Sequence, residues 1–282
     1  MALRVYFDGA GKEDDHPVIT VGGFLADAAL CEQIEADWRA ATGGRVFHLA
    51  DFGTKHCALD SLAWSATKRS EFLKVLGRIV NRPGVNIISS SLEVAPFNEF
   101  LAETENPQEV GPAFSACAYA GIACSEFILL TDGRQSLKVK YVFEKGDREH
   151  EIANAFADLE KNDSNFFGLR AHGFQPKQTT TLLQPADLIA GMIQRCLITA
   201  HRSFRSLDNG LGFVRLNTFE RYYSSDGVTA ALVAGHDTKT CYIHNARAFM
   251  YMNEMSTEFF KQNPGQLEKR KKRLTFKPKK RK

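Results

Sequence analysis

Hydrophobic and polar positions alternate strictly at the start of the chain: Leu3, Val5 and Phe7 are interleaved with Arg4, Tyr6 and Asp8. A period of two places successive side chains on opposite faces of a strand, so residues 3–8 are expected to form one that ends in a carboxylate. The β-branched run Val18–Ala26 forms its partner, and residues 3–26 read as a hairpin with a polar tip at Lys12–His16. Ala28–Ala41 then repeats Leu30, Ile34 and Trp38 at helical spacing, as Thr67–Val80 does with Phe72, Leu76, Ile79 and Val80 until Arg82-Pro83-Gly84 ends it. A strand at Val85–Val94, a helix near Phe97–Ala102 and an apolar helix over Pro112–Leu130 follow. Leu137, Val139, Tyr141 and Phe143 alternate with lysines into Glu144-Lys145-Gly146-Asp147, and a short helix is expected over Ile152–Leu159. Leu169–Leu183 has room for one or two short strands. A helix then begins at Gln184-Pro185, where proline suits the first turn, with Ile189, Met192, Ile193, Cys196 and Leu197 at helical spacing. Beyond His201 the pattern weakens: Asp208-Asn209-Gly210 marks a turn and Ala246–Phe260 reads as a last amphipathic helix. A hairpin start followed by alternating strands and helices gives an α/β class, in the sense of an α+β mixed sheet.

The composition fits that reading. With 282 residues, 44% hydrophobic and 24% charged, the chain can bury a core, which excludes disorder throughout. Ser115, Ser125 and Glu126 interrupt the most apolar stretch, which is rich in Ala, Gly and Cys, so it is expected to be a buried helix and not a membrane span. Asp8 stands where the apolar core of a secretory leader would be, so no signal peptide is expected and the location is expected to be cytoplasmic. Cys31, Cys57, Cys117, Cys124, Cys196 and Cys241 lack Cys-x-x-Cys spacing and read as reduced core residues, with Cys241 and His244 the only local pair resembling a fragment of a zinc site.

Charge is distributed unevenly. Within Glu268–Lys282, Lys269, Arg270, Lys271, Lys272, Arg273, Lys277, Lys279, Lys280, Arg281 and Lys282 face a single acid, a net of +9, which leaves −6 for the rest of a chain of formal charge +3. A mildly acidic body with a basic block is the pattern of a tethered polyanion-binding arm, although a solvated, disordered tail that aids solubility has the same composition.

Four acids stand where chemistry could be done. Asp8 and Glu144 each end an apolar strand and precede glycines, at the edge where side chains reach a cleft; turn formation would explain Asp8 alone. Asp147 is placed to cap the following helix. Asp187 falls in a first helical turn, where the helix dipole favours any acid, but it shares a face with Gly191 and Arg195 at i, i+4 and i+8. A mid-helix glycine costs about 1 kcal/mol relative to alanine, so something must approach that face, either a packed strand or a ligand. Should the sheet bring these carboxylates together, the oxygen donors would suit Mg²⁺ or Mn²⁺ better than zinc.

The segments Tyr6-Phe7-Asp8-Gly9-Ala10-Gly11, Val21-Gly22-Gly23-Phe24, Phe47-His48-Leu49-Ala50-Asp51 and above all Leu183-Gln184-Pro185-Ala186-Asp187-Leu188-Ile189-Ala190-Gly191 resemble the bacterial family called domain of unknown function 3800, a branch of the RNase H-like superfamily. The resemblance covers Val5 to Cys196, about two thirds of the chain. It implies an RNase H-like fold with helical insertions, in which Asp8 on the first strand, Glu144 or Asp147 after a central strand and Asp187 on the last helix form an acidic cluster. His48 and Asp51 match a recurrent His-containing element and are second-rank catalytic candidates. Asp8-Gly9-Ala10-Gly11 departs from the family's usual Asp-Glu-Ser-Gly by an acid and a hydroxyl, a loss for which Glu93 is a possible substitute.

The resulting expectation is an RNase H-like domain over residues 1–200, a C-terminal helical extension over 201–267 and a basic tail over 268–282. The expected function is that of a divalent-metal-dependent nuclease on DNA or RNA; the alternative is a catalytically inactive member of the fold that binds nucleic acid or a partner protein. Either way the basic block would supply sequence-independent affinity. Deletion of residues 268–282 is expected to leave the unfolding temperature nearly unchanged while weakening nucleic-acid binding and flattening the slope of log K against log salt. Fluorescence-anisotropy titrations across a salt series measure this, and an unchanged slope would rule out the arm.

Overall fold

The computed structural model describes residues 2–103, 112–131, 134, 138–146, 148–153 and 172–199. Asp147, Cys241, His244, most of the 152–159 helix, the extension and its 246–260 helix, and the basic block lie outside the described residues.

The expected hairpin is formed by β1 (Ala2–Ala10) and β2 (Val18–Asp27), antiparallel with Phe7 opposite Gly23 and Asp8 opposite Gly22. Helices α1 (Ala28–Thr42) and α2 (Ala66–Val80) follow, each with a side-chain cap: Asp27 Oδ1 accepts from Leu30 N at 2.8 Å and Ser65 Oγ from Lys68 N at 3.1 Å. Next come β3 (Asn86–Glu93), α3 (Val94–Glu103) and the long apolar α4 (Ala113–Thr131). Strand β4 (Lys138–Glu144), a helical segment at 149–153, β5 (His172–Gln175) and α5 (Leu183–Thr199) complete the described chain. The five strands make one mixed sheet in the order β3-β2-β1-β4-β5; β2 runs antiparallel to both of its neighbours, β1 and β3, while β4 runs parallel to both β1 and β5. No helix among the described residues is long and apolar enough to cross a membrane.

The period of two along the strands divides the core. Leu3, Val5 and Phe7 of β1 and Val139, Tyr141 and Phe143 of β4 pack with α3 and α4 on one face of the sheet. Tyr6 and Val142 turn to the other face, where they meet Cys31, Ile34 and Trp38 of α1, Leu76 and Ile79 of α2, and Ala186, Ile189 and Ile193 of α5. Asp8 and Glu144 continue the second set by alternation, so both acids point from adjacent parallel strands toward the α5 side.

Helix α5 lies unusually close to the sheet. A Cβ on Gly22, the β2 residue opposite Asp8, would stand 2.7 Å from Ala190 Cα and 2.8 Å from Ala190 N. Those are backbone atoms that cannot swing away, so glycine is required for the helix to settle over the strand next to the acid. At Gly191 the obstacle is Leu49 Cδ2, 2.6 Å from a would-be Cβ and at the end of a mobile side chain. Gly22→Val should therefore lower stability by about 1–3 kcal/mol through overpacking, and Gly191→Ala should do markedly less damage. The urea midpoint with an unchanged m-value reads the difference, and equal losses would show that the contact at Gly22 is not a rigid one.

Candidate functional site

The acids that the strands aim at α5 meet there. Asp8 Oδ2, Glu144 Oε2 and Asp187 Oδ1 stand 2.7, 3.2 and 3.1 Å from one atom, the ammonium nitrogen of Lys177. Lys177 belongs to the turn after β5, in which Thr179 N and Thr180 N both donate to Pro176 O. Its side chain is 4% exposed, against 3% for Asp8, 7% for Asp187 and 31% for Glu144. A lysine is almost never so buried unless it is paired, and here three carboxylates pair it.

Asp8 and Asp187 have further partners that fix them independently of the lysine. Asp8 Oδ1 accepts from the backbone N–H of Gly9 at 2.7 Å. Asp187 Oδ2 accepts from Leu49 N at 2.6 Å, and its Oδ1 accepts from His48 Nδ1 at 3.1 Å. Asp8 Oδ2 is different: its ion-pair partner is the ammonium, 2.7 Å away, and no other N–H or hydroxyl donor among the described residues reaches it.

The i, i+4, i+8 face of α5 also explains why His48 is there. Asp187 takes the Leu49 N–H, Gly191 leaves room for the Leu49 side chain, and Arg195 Nη2 donates to Leu49 O at 3.0 Å. One turn earlier, Gln184 Oε1 accepts from both Phe47 N at 2.9 Å and Trp38 Nε1 at 3.0 Å. Phe47 packs edge-on against Trp38, and Phe52 stacks on Phe72 with centroids 5.7 Å apart, so the segment is anchored on both sides of His48. What approaches Gly191 is thus a loop residue of the chain itself.

Burial first, then the neighbouring charges of Asp187 and Glu144, push the Asp8 carboxyl well above the usual range, against the pull of Lys177. Burial would raise Asp187 too, but the hydrogen bond from His48 and the charge of Lys177 hold it below the ordinary value. His48 is raised in turn, chiefly by that bond to Asp187, which favours the imidazolium. Burial works to discharge Lys177, yet the three carboxylates, Asp8 foremost, keep its ammonium protonated. The cluster is therefore charged but nearly balanced.

The acids line a cleft of about 580 Å³, together with Lys12, His16, His48, Arg148, Gln194 and Arg195. Arg148 Nη2 donates to Gly11 O at 2.8 Å, its guanidinium lies 4.3 Å from the Phe114 ring centroid, and its buried Nη1 has no partner among the described residues. A Cβ on Gly9 would fall 2.1 Å from Phe114 Cε2, so the aromatic ring fills the space that a side chain at Gly9 would need.

No family model, no curated protein and no solved structure matches this chain. Its chemistry rests on its own atoms. Of the sequence candidates, Asp8, Glu144, Asp187 and His48 come together. Asp51 donates its backbone N–H to His48 O at 3.2 Å and adds to the field that raises His48, but it does not line the cleft. Glu93 is buried at the end of β3, two strands from Asp8, and does not line it either. Among the described residues no three His, Cys, Asp or Glu side chains stand as a ready ion site. The fit is of another kind: three carboxylate oxygens surround one point, the ligand type that suits a hard cation, while an ammonium holds that point. Lys177 gave no sequence signal, since a lone lysine between Pro176 and Gln178 reads as a solvated turn residue.

Bare repulsion among three acids would make each a burden to folding; with Lys177 present the sign reverses. Removing one partner of a buried pair is strongly destabilising, so Asp187→Asn should lower stability by about 3 kcal/mol. The His48 contribution should depend on pH: a raised imidazole stabilises fully below its unfolded value of about 6.5 and ceases to as pH rises through its folded value. Denaturation of His48→Gln against the parent from pH 5 to 9 should show a deficit that shrinks with rising pH; a constant deficit would mean that the contact with Asp187 is not ionic.

Proposed function

We propose that this protein is a divalent-cation-dependent nuclease of RNase H-like design, hydrolysing phosphodiester bonds in DNA or RNA. The observation that carries the reading is the convergence of Asp8, Glu144 and Asp187, from two adjacent strand ends and one helix, on a single cation position in an open cleft. This is the disposition that the resemblance to the domain of unknown function 3800 family implies. Asp8, Glu144 and Asp187 would hold Mg²⁺ or Mn²⁺, with Asp147 a further candidate ligand, and such an ion activates water and offsets the charge of a phosphoryl oxygen.

The remaining roles fall to the chain itself. Asp187 Oδ1 holds His48 Nδ1–H, which orients the ring and leaves Nε2 for a proton at the leaving or attacking oxygen. Arg148, held by Gly11 O and stacked on Phe114, lines the cleft and would set a positive charge near a bound phosphate. The basic block at 269–282 would add backbone affinity along the strand. A second reading, a non-catalytic nucleic-acid-binding protein, draws on the ring of Phe114 where the family's second acid would stand.

Single- and double-stranded DNA and RNA incubated with the full chain in Mg²⁺, Mn²⁺ or EDTA separate the two. Cleavage is expected with metal only, lost in Asp8→Asn, Glu144→Gln and Asp187→Asn, and reduced by a factor of order 10² in His48→Ala, the scale of a lost acid–base group. Binding without cleavage under all conditions would favour the second reading.

A further inference from the structure

We propose that Lys177 is a tethered counter-ion that occupies the cation position of the cluster, and that a divalent ion enters by displacing its ammonium. The inference rests on the reading of Asp8, Glu144 and Asp187 as metal ligands and names what regulates their occupancy.

Three observations lead to it. Two of the carboxylates are positioned by other groups, Asp8 by Gly9 N, and Asp187 by Leu49 N and His48, so for these Lys177 supplies charge and not shape. The ammonium alone holds Asp8 Oδ2, at 2.7 Å, and no other N–H or hydroxyl donor among the described residues reaches that oxygen. A contact held by one positive head is one that another cation can replace. Lastly, the lysine hangs from a short turn on a stem of four methylenes, so its head can leave without moving β4 or β5.

The other carboxylate oxygens of Asp8 and Asp187 are already taken, Asp8 Oδ1 by Gly9 N and Asp187 Oδ2 by Leu49 N. A divalent ion shared by the three oxygens needs contacts near 2.1 Å about the point that Nζ holds at 2.7–3.2 Å. Ion and ammonium cannot both stand there. Without metal the tethered cation keeps three like charges from repelling one another; with metal it would turn into the cleft, where a phosphate can receive it.

The test compares Mn²⁺ binding to the full chain and to Lys177→Met, by isothermal titration and thermal shift after EDTA treatment. The neutral isostere is expected to bind Mn²⁺ at least tenfold more tightly, to unfold at a lower temperature in EDTA, and to gain more on Mn²⁺ addition. In the parent, saturating Mn²⁺ should increase acetylation of Lys177 by acetic anhydride, followed by peptide mass spectrometry. Equal affinities, or metal binding that leaves Lys177 unreactive, would overturn displacement while keeping the metal site. Weaker binding by Lys177→Met would also overturn it, because the lysine would then support the ion. Absence of any Mn²⁺ response in the parent, Lys177→Met and Lys177→Gln would overturn both this inference and the metal-dependent reading beneath it. Lys177→Gln replaces the methionine variant should that one not fold, and the acetylation readout needs neither.

Discussion

Three acids within reach of one point, two of them buried, form a stable arrangement only if something positive stands among them, and in this protein that is the Lys177 ammonium. The constraint reaches outward from there. Asp8 and Glu144 are brought side by side by the parallel pairing of β1 with β4, which sets Phe7 opposite Phe143 and so puts the two acids at neighbouring strand ends. Asp187 can join them only because β2 is cut down to glycine at position 22, which lets the backbone of α5 descend onto the sheet. Sheet order, helix height and charge balance are thus parts of one requirement.

The same helix face does two jobs with one set of residues. Asp187, Gly191 and Arg195 grip Leu49 by its N–H, its side chain and its carbonyl, while the remaining oxygen of Asp187 faces the lysine and His48. A carboxylate that is both a clamp and a cluster member is held rigidly, and so is the histidine it carries. This is how a loop residue acquires a fixed orientation. The aromatic packing of Phe47, Phe52, Trp64 and Phe72 supports the same loop from α2, so the site depends on core packing well away from it.

Alternation, helical spacing and apolar runs made β1, β2, α1, α2, β3, α4 and α5 legible to within a few residues: α1 and α2 bury one face each, whereas β2 and β3 are buried on both. The placement of Asp8 and Glu144 on the α5 side also follows from period two. Pairing order did not: nothing local in Val139 or Tyr141 says that β4 lies beside β1. Lys177 was invisible for a related reason. Its role comes from three partners at sequence distances of 169, 33 and 10 residues, and a turn lysine looks the same whether its head is in water or among acids. The stripe through Gly191 was legible as a close approach, but its occupant, Leu49, was not.

The two faces of β1 are used differently at its end. Phe114 fills the space that a side chain at position 9 would need, on the α4 face, and at the same time gives Arg148 a ring to stack on at 4.3 Å. Asp8 points to the α5 face, where burial and the charges of Asp187 and Glu144 push its carboxyl up against the pull of Lys177. The acids there meet one ammonium and one imidazole, so any further negative charge in the cluster would have to be matched by a further cation.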